Sequence, residues 1–241
     1  MNVRAKTGCA LILVYALVFL LSRIYMIVPE VSGLRLASVL ALPYGLIFGR
    51  MGAVCAALGA ALGMLIWGGN PQMIPMECLG SLLAAYLPYR VWQGMHSEQE
   101  PFLCVTDGRT GTMFFILCII STIPKSLYPA LGAELYSIEP FPASYWKIFL
   151  CTTFWTVVGG GLLYHRAAAY FYRGPGENLW QQLVDHRKTT RGMAVAMLRI
   201  TLTGGFIALG LSLIFPNEFS LAIVRYAMGI FGVSMMILTA F

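Results

Sequence analysis

Arg23, Glu77 and Lys125 stand inside or at the edges of long apolar stretches of a 241-residue chain. A charge held at membrane depth is costly, so it needs a partner, a water-filled cavity or a ligand. Further polar residues mark the connections between stretches: Glu30 and Arg35 in the first, Asn70 and Gln72 in the second, Glu134, Tyr136 and Glu139 in the third, and Lys147 just after it. If the chain alternates across a bilayer, all of these project to its outer half. Arg23 and Lys125 would then suit a carboxylate, a phosphate or an acidic heterocycle. Glu77 and Asn70 would suit donors on the same ligand, and Trp67, Tyr128 and Tyr136 a ring. The expected binding residues are therefore Arg23, Glu30, Arg35, Trp67, Asn70, Glu77, Lys125 and Tyr128, around a pocket open to the outside. The competing reading is structural: Arg23 and Lys125 snorkel to headgroups, or pair with Glu77 and Glu30.

The elements that must position these residues follow from composition. Apolar residues make up 59% of the chain and charged ones 11%, with a mean hydropathy of +0.75. A soluble domain carries roughly 25% charged residues. This excludes a cytosolic enzyme, a disordered regulator and a nucleic-acid-binding domain, and makes the lipid bilayer the first partner. A spanning helix needs about 20 apolar residues. Eight stretches qualify or nearly so: 9–28, 36–49, 51–67, 74–91, 111–131, 145–164, 192–214 and 220–241. The second is short, and 36–67 reads either as two spans or as one hairpin that enters and leaves on the same face. The expected fold is all-α, a polytopic helix bundle of about eight spans.

Orientation follows from the basic residues. With the N-terminus inside, ten of the sixteen Lys and Arg fall in cytoplasmic segments, from Arg4 and Lys6 to Arg187, Lys188 and Arg191. The positive-inside rule then puts both termini in the cytoplasm. The first stretch is too long for a signal-peptide core and lacks a small-residue cleavage site near Pro29, so a retained anchor is expected. Arg199 and Arg225 read as interface anchors.

Three units are expected. Residues 1–172 form a six-span core with the outward pocket. Residues 173–191 form a cytoplasmic linker, opened by Gly174-Pro175-Gly176 and carrying a short interfacial helix through Leu179, Trp180, Leu183 and Val184. Residues 192–241 add a two-span hairpin. The stretch 51–67 is nearly bare of bulk, with Ala53, Ala57 and Ala61 and with Gly59 and Gly63 at four-residue spacing. Such spacing lets helix backbones approach closely; it reads as tight packing, with a docking face for another subunit as the alternative.

Motifs for other chemistry are missing from the sequence. There is no P-loop to drive transport with ATP, no HExxH, no GxSxG and no zinc-like Cys/His spacing. Neither an enzyme, a bound metal nor a cofactor is expected. The six cysteines are scattered, without a CxxC pair, and read as packing residues.

From Val31 to Trp92 a pattern emerges in Gly33-Leu34-Arg35-Leu36, Gly45-Leu46-Ile47-Phe48-Gly49-Arg50-Met51-Gly52-Ala53, Ala57-Leu58-Gly59 and Ala85-Tyr86-Leu87-Pro88-Tyr89-Arg90-Val91-Trp92. It resembles the substrate-binding S components of energy-coupling factor (ECF) vitamin transporters and their relatives. The resemblance implies a six-helix core in a bacterial plasma membrane. It also implies capture of a vitamin or similar small polar or heterocyclic ligand in an outward pocket, and reliance on a membrane coupling subunit with two ATPases. Arg50 stands where that family often has Pro, the small-residue AxxxA docking motif is missing from the first helix, and two spans are added. Related modules of about eight spans precede bacterial sensor kinases, cyclases and phosphatases, so a ligand-sensing module with a signalling partner is the alternative. No cytoplasmic output domain follows up to Phe241, which is expected to favour the carrier unless the sequence is a piece of a longer one.

Overall fold

The computed structural model describes residues 3–23, 26–28, 32–33, 35–95, 108–174, 176–177, 179 and 189–214. Within them the fold is a helix bundle. Its helices are α1 (Val3–Leu21), α2 (Ser38–Trp67), α3 (Ile74–Met95), α4 (Gly108–Leu135), α5 (Phe141–Trp155), α6 (Gly161–Arg173) and α7 (Arg191–Ile214). A π-helical turn over Thr156–Gly160 makes α5 and α6 one continuous rod. A small antiparallel ladder pairs β1 (Met26–Val28) with β2 (Ser32–Gly33). The expected stretch 220–241, the helix around Trp180 and the candidate residue Glu30 lie outside the described residues.

Among the described residues, five helices are long and apolar enough to cross a membrane: Val3–Leu21, Ser38–Trp67, Gly108–Leu135, Phe141–Phe171 and Arg191–Gly210. Helix α3 carries Glu77 and Arg90 and is less apolar, yet its 22 residues make it about 33 Å long. Both charged side chains are buried, as it packs against α2, α4 and α7.

The first helix starts and stops earlier than the apolar stretch 9–28. After Leu21 the Ser22 hydroxyl donates to the carbonyls of Val18 (3.1 Å) and Phe19 (2.7 Å), competing with the backbone at the helix end. Met26–Val28, expected as the last turn of the helix, is instead a strand.

Region 36–67 resolves into two helical arms joined by a sharp break. Gly49 has φ 57° and ψ −131°, a combination open to glycine and costly for other residues. The chain doubles back there, bringing Gly52 against the Tyr44 carbonyl, where any Cβ would collide with the backbone. The first arm, Ser38–Phe48, is roughly 16 Å long by helical rise and is half the length a crossing needs. Its Gly45 and Gly49 lie against Ala85 and Tyr89 of α3. The second arm sets Gly59 and Gly63 against Tyr15 and Phe19 of α1. Both glycine pairs are thus helix-contact surfaces inside this chain.

Helix α7 packs on α3, α4 and α5, with Gly94 against Ala194 and Gly205 against Ile123. The core forms two apolar clusters. One gathers Tyr15, Phe19, Tyr44, Tyr86 and Tyr145; the other gathers Leu42, Phe48, Leu87, Trp92, Leu117 and Tyr128. The five described cysteines are free thiols.

Candidate functional site

Four ionisable side chains from four segments meet in one buried cluster. Arg23 follows the end of α1, Arg35 precedes α2, Glu77 lies in the first turn of α3, and Lys125 lies in α4. All four are at most 4% exposed.

Local sequence explains how they converge. Gly80, on the α3 face next to Glu77 and Ser81, leaves room for α4: a Cβ there would sit 3.1 Å from the Pro124 carbonyl oxygen and 3.6 Å from Lys125 Cα. Lys125 therefore reaches both neighbours of Gly80. Its Nζ donates to Glu77 Oε2 (3.0 Å) and to the Ser81 hydroxyl. Glu77 and Ser81 are four residues apart, on one helix face. The first-turn position of Glu77 also places its negative charge at the positive end of the α3 dipole.

Arg35 closes the other side. Its Nη1 lies 2.9 Å from Glu77 Oε1, so the carboxylate is shared between two cations. The backbone of Arg35 is left-handed (φ 56°), a conformation costing about 1–2 kcal/mol for a non-glycine residue. Ser38 holds it there, donating from its backbone N–H (2.9 Å) and its hydroxyl (2.6 Å) to the Arg35 carbonyl. Despite the short ion pair, Nε, Nη1 and Nη2 of Arg35 make no aligned hydrogen bond among the described residues.

Arg23 lies across the cluster. Its guanidinium stacks over the Phe19 ring (5.0 Å), and Nη2 donates to the Met64 sulfur (2.7 Å), a weak acceptor. Lys125 Nζ is 5.9 Å from both the Tyr15 and the Phe19 ring. Phe19, Ser22, Arg23, Arg35, Glu77 and Lys125 line a cavity of about 10 Å³, room for one water molecule. Among the described residues the cluster holds three cations and one carboxylate, a net charge of +2.

The remaining expected site residues lie elsewhere. Trp67 ends α2 and is 42% exposed. Asn70 caps the 3₁₀ turn Pro71–Met73, its side chain accepting from the Gln72 N–H (3.0 Å). Tyr128 is buried in the second apolar cluster, away from the cavity lining. Tyr136 is partly exposed, and Lys147 pairs with Glu139 at an exposed position. Glu77 is engaged by Arg35 and Lys125 through both oxygens, not left open to ligand donors. The pairing of Lys125 with Glu77 was the structural alternative, while Arg23 and Lys125 do not snorkel, since both are buried. Arg199 is exposed among the described residues.

Ser81, Met64, Phe19 and Ser22 were not among the expected site residues. Ser81 carries a signal in its four-residue spacing from Glu77; Met64 and Phe19 look like any apolar residue until the helices are packed. No protein-family model, no curated protein and no solved structure matches this chain.

Proposed function

We propose that this chain is an integral membrane small-molecule-binding protein of about eight spans in a bacterial plasma membrane. Its function would be substrate capture for a micronutrient uptake transporter energised by separate ATPase subunits. The observation that carries this reading is the buried meeting of Arg23, Arg35, Glu77 and Lys125 around one small cavity. Ionisable groups at such depth are expensive to hold and are the default marks of a ligand or ion site. A merely structural ion pair needs one cation for one carboxylate, and here two further cations are drawn in.

Length and hydropathy of the helices support the membrane setting, and the distribution of Lys and Arg supports an outward position for the cluster. The resemblance to ECF S components supports capture over catalysis. A sensor or interaction module remains the second reading, favoured by the missing AxxxA motif on the first helix.

A thermal-shift screen of the detergent-purified chain against vitamins, their precursors, purines and small organic acids tests the proposal. A ligand that binds the native state must raise its stability. One ligand class is expected to raise the melting temperature in a dose-dependent way; no stabilisation by any of them at saturation would contradict capture. Co-purification with a coupling subunit and two ATPases would support the transporter reading, and co-purification with a kinase or phosphatase the sensor.

A further inference from the structure

Resting on that capture reading, we propose that the ligand is held by a carboxylate group seated between Arg35 and Arg23, with Glu77 and Lys125 as the fixed frame behind it. The division of roles follows from what each side chain already does. Lys125 donates to Glu77 and Ser81, and Glu77 faces Arg35 with one oxygen and accepts from Lys125 with the other. These two groups are occupied. Arg35 has five N–H donors, yet none of its nitrogens makes an aligned hydrogen bond among the described residues. Among the described residues Arg23 donates only to a thioether, a weak acceptor.

With the Glu77 ion pair as its one close acceptor among the described residues, the buried Arg35 guanidinium leaves most of its donors uncompensated, which is unfavourable. The acceptors that Arg35 and Arg23 need are anionic oxygens, and the net charge of +2 asks for negative charge in the same place. Size selects among anions. A cavity of about 10 Å³ holds a single water, so a flat carboxylate requires less opening of the site than a tetrahedral phosphate. Shape agrees, since the planar guanidinium fork matches the two oxygens of a carboxylate. The strained Arg35 backbone, fixed by Ser38, presets the direction of the side chain before ligand arrives.

The experiment is calorimetric titration and thermal unfolding of the purified full chain at constant ionic strength. Probes are acetate, propionate and benzoate, with benzamide as a neutral comparison and inorganic phosphate as the other anion. At least one carboxylate is expected to bind and raise the melting temperature, with benzamide and phosphate at least tenfold weaker. Arg35→Gln is expected to weaken carboxylate binding at least tenfold, while the ligand-free chain, still held by the Glu77–Lys125 pair, melts lower but remains folded. A purely structural Arg35 would lower the melting temperature and leave the affinity of the folded protein unchanged. Preference for phosphate or benzamide, or carboxylate affinity retained in Arg35→Gln, would overturn the assignment. Should Arg35→Gln fail to fold, wild-type selectivity decides alone, and Arg35→Lys, which keeps the charge and loses the fork, gives the second comparison. If a neutral or cationic compound from the wider screen stabilises the chain and no carboxylate does, capture stands and the carboxylate falls. If nothing binds, both fall.

Discussion

Arg35 and Glu77 meet through Nη1 and Oε1 at 2.9 Å, both buried, although one residue precedes α2 and the other opens α3. The contact ties the start of the short arm of α2 to the helix beside it. Lys125 adds the third helix through the other oxygen of the same carboxylate. One acidic side chain therefore organises three segments, and its removal should be felt through all of them.

Glu77→Gln leaves Arg35 and Lys125 buried without a counter-charge. Breaking a buried pair from one side costs about 3–5 kcal/mol. Thermal unfolding in detergent should show a large loss of stability. A melting temperature equal to wild type would mean that water already reaches the cluster.

Two glycine substitutions should act in opposite directions. Gly45→Ala drives a Cβ into the Ala85 backbone, so it should disrupt the seam between α2 and α3 and lower the yield of folded protein. Among the described residues, nothing lies within 4 Å of a Cβ added at Gly210 of α7. Gly210→Ala should therefore be neutral or gain about 0.5–1 kcal/mol from helix propensity. Size-exclusion profiles and melting temperatures check both; tolerance of Gly45→Ala would contradict the close approach of these helices.

Gly159 abuts Val39: an added Cβ would lie 2.6 Å from Val39 Cγ2. Gly159→Ala should cost roughly 1–3 kcal/mol by overpacking, and Val39→Ala in the same chain should recover most of it. A double-mutant cycle on unfolding measures the coupling. Additive losses would place the π-helical turn away from the first arm of α2.

Orientation is open to labelling in intact cells. A cysteine at Ser137, in the connection between α4 and α5, should react with a membrane-impermeant maleimide added outside. One at Arg109, near the start of α4, should react only after permeabilisation. The reverse pattern would turn the cluster toward the cytoplasm.

Long apolar stretches gave most helices their approximate place, because the cost of burying an unsatisfied backbone in lipid leaves few alternatives. Helix α4 and the α5–α6 rod were legible in this way. The reversal at Gly49 was not decided, since a hairpin and two spans have the same hydropathy; only the positive φ distinguishes them. Of the expected site residues, Arg23, Arg35, Glu77 and Lys125 came together because buried charge has a price that must be met locally. Trp67, Asn70 and Tyr128 were chosen by residue type and depth, which say nothing about the side of a helix they occupy. Trp67 faces outward, Asn70 satisfies a turn, and Tyr128 packs into the other cluster.

The most direct measurement of the central claim is the dissociation constant of whichever ligand stabilises the chain, compared between wild type and Arg23→Met in folded, monodisperse preparations. Arg23 lines the cavity but makes no ion pair with Glu77, so the frame should persist without it. The expected result is at least a tenfold weaker affinity. Equal affinity in the two proteins would contradict the account and move ligand binding away from this cluster.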